Sequence, residues 1–193
     1  MLTLQDVKLG PARRKAWPAR IFALLLVAAG SFATAAQADS DERQRMGWVE
    51  KVLIEPGAIP LKAKLDTGAK TSSLHAKDIE IFKKDGDNWV RFRLEVEDTD
   101  GKDHDVVIER RRVRRVRIKE HEGEYDRRPV VRMSFCIAGE RRSAQFTLAD
   151  RSRFIYPVLL GRRFLEDHAL VDAGATFLTQ ARCPSEPEGG SDS

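Results

Sequence analysis

From Trp48 onward the chain alternates short apolar runs with clusters of Gly, Asp, Asn and Pro, and that alternation commits it to an all-β fold. The runs are Gly47–Ile54, Ile59–Asp66, Ile79–Lys83, Trp89–Val96, Asp105–Ile108, Val113–Lys119, Pro129–Ile137 and Arg142–Leu148. Between them stand Glu55-Pro56-Gly57, Lys84-Asp85-Gly86-Asp87-Asn88, Asp98-Thr99-Asp100-Gly101-Lys102 and Ala138-Gly139-Glu140, residues that preset a turn or tolerate positive φ. Strands at this spacing predict a sandwich or barrel, because parallel βαβ units need a crossover helix between strands. One short helix is expected, over Arg162–His168 after Gly161.

Charge separates the N-terminus from the rest. The net charge is +4, yet residues 1–38 hold five Lys/Arg against the single acid Asp6, which leaves 29 basic and 29 acidic residues beyond them. A basic stretch over residues 8–20 precedes the apolar run Ile21–Ala29, then Ala36-Gln37-Ala38 and the polar Asp39-Ser40-Asp41-Glu42-Arg43. That order is the plan of a secretory signal peptide, with cleavage expected after Ala38 and a periplasmic mature protein. An uncleaved anchor is the other reading, but Gly30, Ser31 and Thr34 dilute the apolar stretch. The predicted organisation is a signal peptide over 1–38, a linker over 39–45, one domain over 46–181 and a disordered tail over 182–193. With 33% charged and 41% hydrophobic residues, a polytopic membrane protein is excluded, and the composition argues against wholesale disorder. Contact with the membrane is expected only transiently, through the signal peptide, and nucleic acid is not an expected partner.

The segment richest in chemistry is Leu61-Lys62-Ala63-Lys64-Leu65-Asp66-Thr67-Gly68-Ala69-Lys70-Thr71-Ser72-Ser73. A strand delivers Asp66 into a Thr-Gly turn followed by small and hydroxyl residues, an arrangement suited to aspartic hydrolysis. Two aspartates a few ångströms apart cannot both ionise, so they share a proton and hold a water between them. Small residues let two such loops approach, and Thr67 is placed to hydrogen-bond across.

Asp66-Thr67-Gly68-Ala69 resembles the signature of retropepsin-like aspartic proteases. Tyr156-Pro157-Val158-Leu159-Leu160-Gly161-Arg162-Arg163-Phe164-Leu165 resembles the second hallmark of those enzymes, two apolar residues and a glycine leading into a short helix. Within that superfamily the chain is most similar to a bacterial group named ATP-dependent zinc proteases and described as RimK-related. Gly47-Trp48-Val49-Glu50, Leu65–Leu74 and Leu159-Leu160-Gly161-Arg162 carry the likeness. It implies a retropepsin-like closed barrel with one short C-terminal helix. It also implies Asp66 as catalytic residue, Thr67, Gly68 and Ala69 as the supporting turn, and Leu159, Leu160 and Gly161 as the strand beneath that turn. One Asp-Thr-Gly per chain supplies half a dyad, so a homodimer acting on a polypeptide is expected. A non-catalytic module of the same fold, binding a partner or peptide, is the alternative.

No metal or other cofactor is expected. The histidines (His75, His104, His121, His168) are scattered, His121-Glu122 lacks the second histidine of a zincin helix, and no G-x-x-x-x-G-K-[ST] loop is present. His75 reads as a surface-loop histidine, and Asp172 as a residue serving the strand after the helix. The run Arg110–Lys119 invites binding of an anionic polymer, or else an exposed strand neutralised by the acidic segments Glu95–Asp105 and Glu120–Asp126. Cys136 and Cys183 permit a disulfide after export, or are a buried thiol and an unrelated tail cysteine.

Overall fold

The computed structural model describes residues 43–119 and 125–183. The expected signal peptide, most of the linker, the segment Glu120–Glu124 and the tail from Pro184 lie outside the described residues.

The all-β expectation holds. Among the described residues ten strands and one helix follow in the order β1 (Gln44–Ile54), β2 (Ile59–Asp66), β3 (Ser72–His75), β4 (Lys77–Lys84), β5 (Asp87–Glu97), β6 (Asp103–Lys119), β7 (Tyr125–Ile137), β8 (Glu140–Ala149), β9 (Val158–Gly161), α1 (Arg162–His168) and β10 (Ala169–Thr176). They form one sheet in the order β10-β1-β2-β9-β3-β8-β7-β6-β5-β4, and an added β1–β7 pairing closes β1, β2, β9, β3, β8 and β7 into a ring. Three pairings are parallel: β1 with β10, β2 with β9, and β3 with β8.

Period-two burial sets the register. On β2, Ile59, Leu61, Ala63 and Leu65 face the core while Lys62, Lys64 and Asp66 do not. On β5, Val90, Phe92 and Leu94 are fully buried between the outward Arg91 and Arg93. Phe135 packs edge-on against Phe146 with ring centroids 5.6 Å apart, and Phe164 of α1 lies 5.3 Å from Phe135, so the helix is fastened to the ring through its apolar face. Among the described residues no helix is long and apolar enough to cross a membrane.

The structure departs from expectation in three elements. Asp105–Ile108 and Val113–Lys119 are one strand, β6, which pairs with β5 through Arg111 and with β7 from Arg112 onward. The charged stretch that reads as a break is the point where the strand changes partner, with an irregular register between Arg112 and Arg114. β3 was hidden by its hydroxyl residues, which are buried as a strand because β8 and β9 flank it. β10 is rich in small residues, and its parallel pairing with β1 brings Thr176 Cα within 2.7 Å of where a Cβ on Gly47 would stand.

Cys136 and Cys183 form a disulfide with a Cα separation of 5.6 Å. Nearby, Gly139 N donates to Gln180 O at 2.8 Å, so the end of the described chain is held against the β7–β8 turn.

Candidate active site

Asp66 is the last residue of β2, where the strand stops because the backbone folds over. Ala69 N donates to Asp66 O at 3.2 Å, and Gly68 N donates to Asp66 Oδ1 at 3.0 Å. The turn is thus stitched to the carboxylate it presents. Lys64, two residues back on the same face of the strand, places Nζ 3.1 Å from Asp66 Oδ2. The carboxylate side chain is 24% exposed. Burial pushes its pKa up, but Lys64 and the N–H groups of Gly68 and Ala69 together outweigh that, and the group ionises below its ordinary range.

β9 runs beside β2 in the same sheet, with Leu160 opposite Leu65 and Gly161 opposite Asp66. Leu159, Leu160 and Gly161 therefore flank the Asp66 strand, and β3 pairs with β9 on its other side. Gly161 is the close contact: a Cβ there would lie 2.6 Å from Thr71 C and 2.7 Å from Thr71 O. Its N–H donates to Ser72 Oγ at 3.1 Å. Thr147 Oγ1 in turn donates to Ser72 O at 3.1 Å, tying the segment after the turn to β8.

Arg162 closes the turn from above. Its Nη1 donates to Thr67 O at 2.9 Å and to Gly68 O at 3.0 Å, and its backbone N donates to Ala69 O at 2.9 Å. Carbonyls that a tight turn leaves unpaired are satisfied by one guanidinium. Thr67 and Gly68 are exposed. Arg151 is almost fully buried; burial and then Arg128 push its pKa down, while the charge of Asp66 pulls the other way.

Lys64, Ser72 and Arg162 are the members of this constellation that motif reading leaves out. The signal for Lys64 was available, since residues two apart on a strand share a face. Ser72 and Arg162 act through contacts that local pattern does not encode.

Other candidates resolve differently. His75 is buried on β3 rather than lying in a surface loop, and its Nδ1 accepts from Arg151 N at 2.9 Å. Burial is the main reason its pKa is lowered. Asp172 lies on β10, opposite Gly47, where its carboxylate pairs with Arg45 and accepts from Gly174 N at 2.8 Å. Among the described residues no three His, Cys, Asp or Glu side chains converge as metal ligands would, and His104 is engaged by Asp98 at 2.7 Å. Within the described residues the segment Glu95–Asp105 does not neutralise the arginine run, and Glu120–Glu124 of the other acidic segment lie outside them. Glu95 pairs with Lys77, Asp98 with His104 and Asp105 with Arg93, whereas of Arg110–Arg117 only Arg111 makes an ion pair among the described residues, with Asp87.

The sequence profile of the RimB-like family, described as retropepsin-like aspartic endopeptidase RimB, matches residues 45–182. The chain belongs to the RimB-like family. Among curated relatives, a probable alpha-L-glutamate ligase of Shewanella pealeana (strain ATCC 700345 / ANG-SQ1) is 34% identical over 123 residues, covering 63% of this chain and 26% of that protein. A probable alpha-L-glutamate ligase of Desulfotalea psychrophila (strain LSv54 / DSM 12343) is 32% identical over 126 residues, covering 61% and 25%. The chain spans about a quarter of the length of these relatives. The crystal structure of Lpg0085, a protein of unknown function (DUF785) from Legionella pneumophila subsp. pneumophila str. Philadelphia 1, aligns with a TM-score of 0.59 and 37% identity, covering 70% of this chain and 97% of that one. Over the matched residues the chain is a retropepsin-like domain.

Proposed function

We propose that this protein is an exported aspartic endopeptidase whose dyad is Asp66 from each of two subunits, acting on an extended polypeptide. The observation that carries the reading is the presentation of Asp66 at a strand end, in a turn where Gly68 N–H holds the carboxylate, Ala69 N–H holds the Asp66 backbone carbonyl, and Thr67 and Gly68 are exposed. One such carboxylate per chain is half of an acid–base pair. Brought together, two would share a proton across a bound water. The ionised carboxylate takes a proton from the water as its oxygen attacks the peptide carbonyl carbon. The protonated carboxyl gives its proton to the carbonyl oxygen, and the resulting tetrahedral species expels the amine, which is protonated as it leaves. Lys64 and the turn N–H groups favour the ionised partner, while Arg162 keeps the turn from spreading.

A second reading, a non-catalytic peptide-binding module, draws on the Lys64–Asp66 pair, which already gives the carboxylate a counter-charge within its own strand. One experiment separates the two. A peptide-library digest by wild type and Asp66→Asn, with the mass in solution measured alongside, is expected to show a dimer in both and cleavage by wild type alone. The loss is several orders of magnitude, since the two carboxyls act as a unit. Equal cleavage by Asp66→Asn, or a fully active monomer, overturns the dimeric dyad.

A further inference from the structure

A cavity of about 380 Å³ is lined by Thr71 and Ser72, which follow the Asp66 turn, by residues of β6, β7 and β8, and by α1. Three arginines enter it from three elements: Arg114 of β6, Arg132 of β7 and Arg163 of α1. Arg114 Nε donates to Gln145 Oε1 at 2.9 Å, and Arg132 Nη1 reaches Ser143 Oγ at 3.4 Å. Arg114 Nη2 is buried with no hydrogen-bond partner. None of the three makes an ion pair among the described residues. Among the described residues Asp167 is the one carboxylate in the lining, so these residues give the cavity a formal excess of two positive charges.

Like charges do not converge on a cavity without cost. A buried guanidinium N–H left unpaired is unfavourable, and burial followed by the charge of Arg163 lowers the pKa of Arg114. A bound anion would remove both penalties. The excess of two charges matches a dianion, and several guanidinium donors with the Thr71 and Ser143 hydroxyls suit a group bearing three or more oxygens. The volume is that of a small-molecule site.

We propose that this cavity is a binding site for a dianionic phosphoryl group, either free phosphate or a phosphate monoester of a small molecule. It is separate from the Asp66 carboxylate and does not depend on the protease reading. It abuts the active-site scaffold, since Ser72 lines the cavity and accepts from Gly161 N.

The test is calorimetric titration of the full chain with inorganic phosphate and with glycerol 3-phosphate, and with succinate and chloride at matched ionic strength. Saturable binding of one phosphoryl anion per chain is expected, with succinate and chloride much weaker. Tighter binding of glycerol 3-phosphate assigns the site to a monoester, and tighter binding of inorganic phosphate assigns it to the free ion. Arg132 and Arg163 are exposed at the cavity rim, so Arg132→Gln and Arg163→Gln leave the core untouched. Each is expected to weaken binding by about tenfold or more, with an unchanged circular dichroism spectrum. Phosphate no better than chloride, succinate as tight as phosphate, or a double variant binding like wild type overturns the proposal.

Discussion

Lys64 and Asp66 share one face of β2, and the ammonium stands 3.1 Å from the carboxylate it accompanies. The pair is built into the strand: a period of two residues puts both side chains on the same side whatever the rest of the fold does. Arg151 adds a more distant positive field, and Arg162 saturates the turn carbonyls. The carboxylate therefore sits among cations that favour its ionised form.

Lys64→Met is expected to move the whole bell-shaped pH profile of cleavage upward, because both apparent pKa values of the dyad lose a stabilising positive charge. The same change bears on stability. The pKa of Asp66 is depressed in the folded chain, so its contribution is present above the unfolded carboxylate value of about 4 and is lost as pH falls through the folded value. Lys64→Met should shrink that acid-side loss. The measurements are kcat/KM against pH and thermal midpoint against pH, and an unmoved profile would refute the role of Lys64.

Gly161→Ala tests the close approach beside the site. The added Cβ would meet Thr71 backbone atoms at 2.6 to 2.9 Å, which a side-chain rotation cannot relieve. The expected cost is about 1–3 kcal/mol, with the thermal midpoint lowered and cleavage reduced through displacement of the Asp66 turn. A variant as stable and active as wild type would show that β9 and the turn segment separate freely.

Cys183→Ser removes a cross-link between positions 47 residues apart. A loss of about 2–5 kcal/mol is expected in denaturant unfolding of the oxidised protein. Reductant should destabilise the wild type by a similar amount and leave the variant unchanged. Equal stability of the two proteins under oxidising conditions would mean that the bridge is not formed in solution.

Export carries its own test. Protein recovered from the cell envelope is expected to begin at Asp39 on N-terminal sequencing, since Ala36-Gln37-Ala38 separates the apolar stretch from a polar one. Recovery of Met1 in the envelope fraction would favour the anchored form, and recovery only from the cytosol would remove the periplasmic assignment.

Sequence alone determined whatever depends on neighbours along the chain. Alternating burial on β2 and β5, the turns at Lys84–Asn88 and Asp98–Lys102, the helix Arg162–His168 and the Asp66-Thr67-Gly68 turn are all local, because strand period, turn chemistry and helix start are set within a few residues. Tertiary structure decided the rest. Ser72 and Ser73 follow the turn as small hydroxyl residues, and are buried strand only because β8 and β9 offer backbone partners. β10 has too few large side chains to announce itself and exists through parallel pairing with β1. His75 is buried by elements remote in sequence, and Cys136 meets Cys183 because the chain end returns to β7. The arginine run shows the limit most clearly: acids flank it in the sequence, but pairing follows cross-strand register, which gave Asp105 to Arg93 and left Arg114 lining a cavity with no ion-pair partner among the described residues.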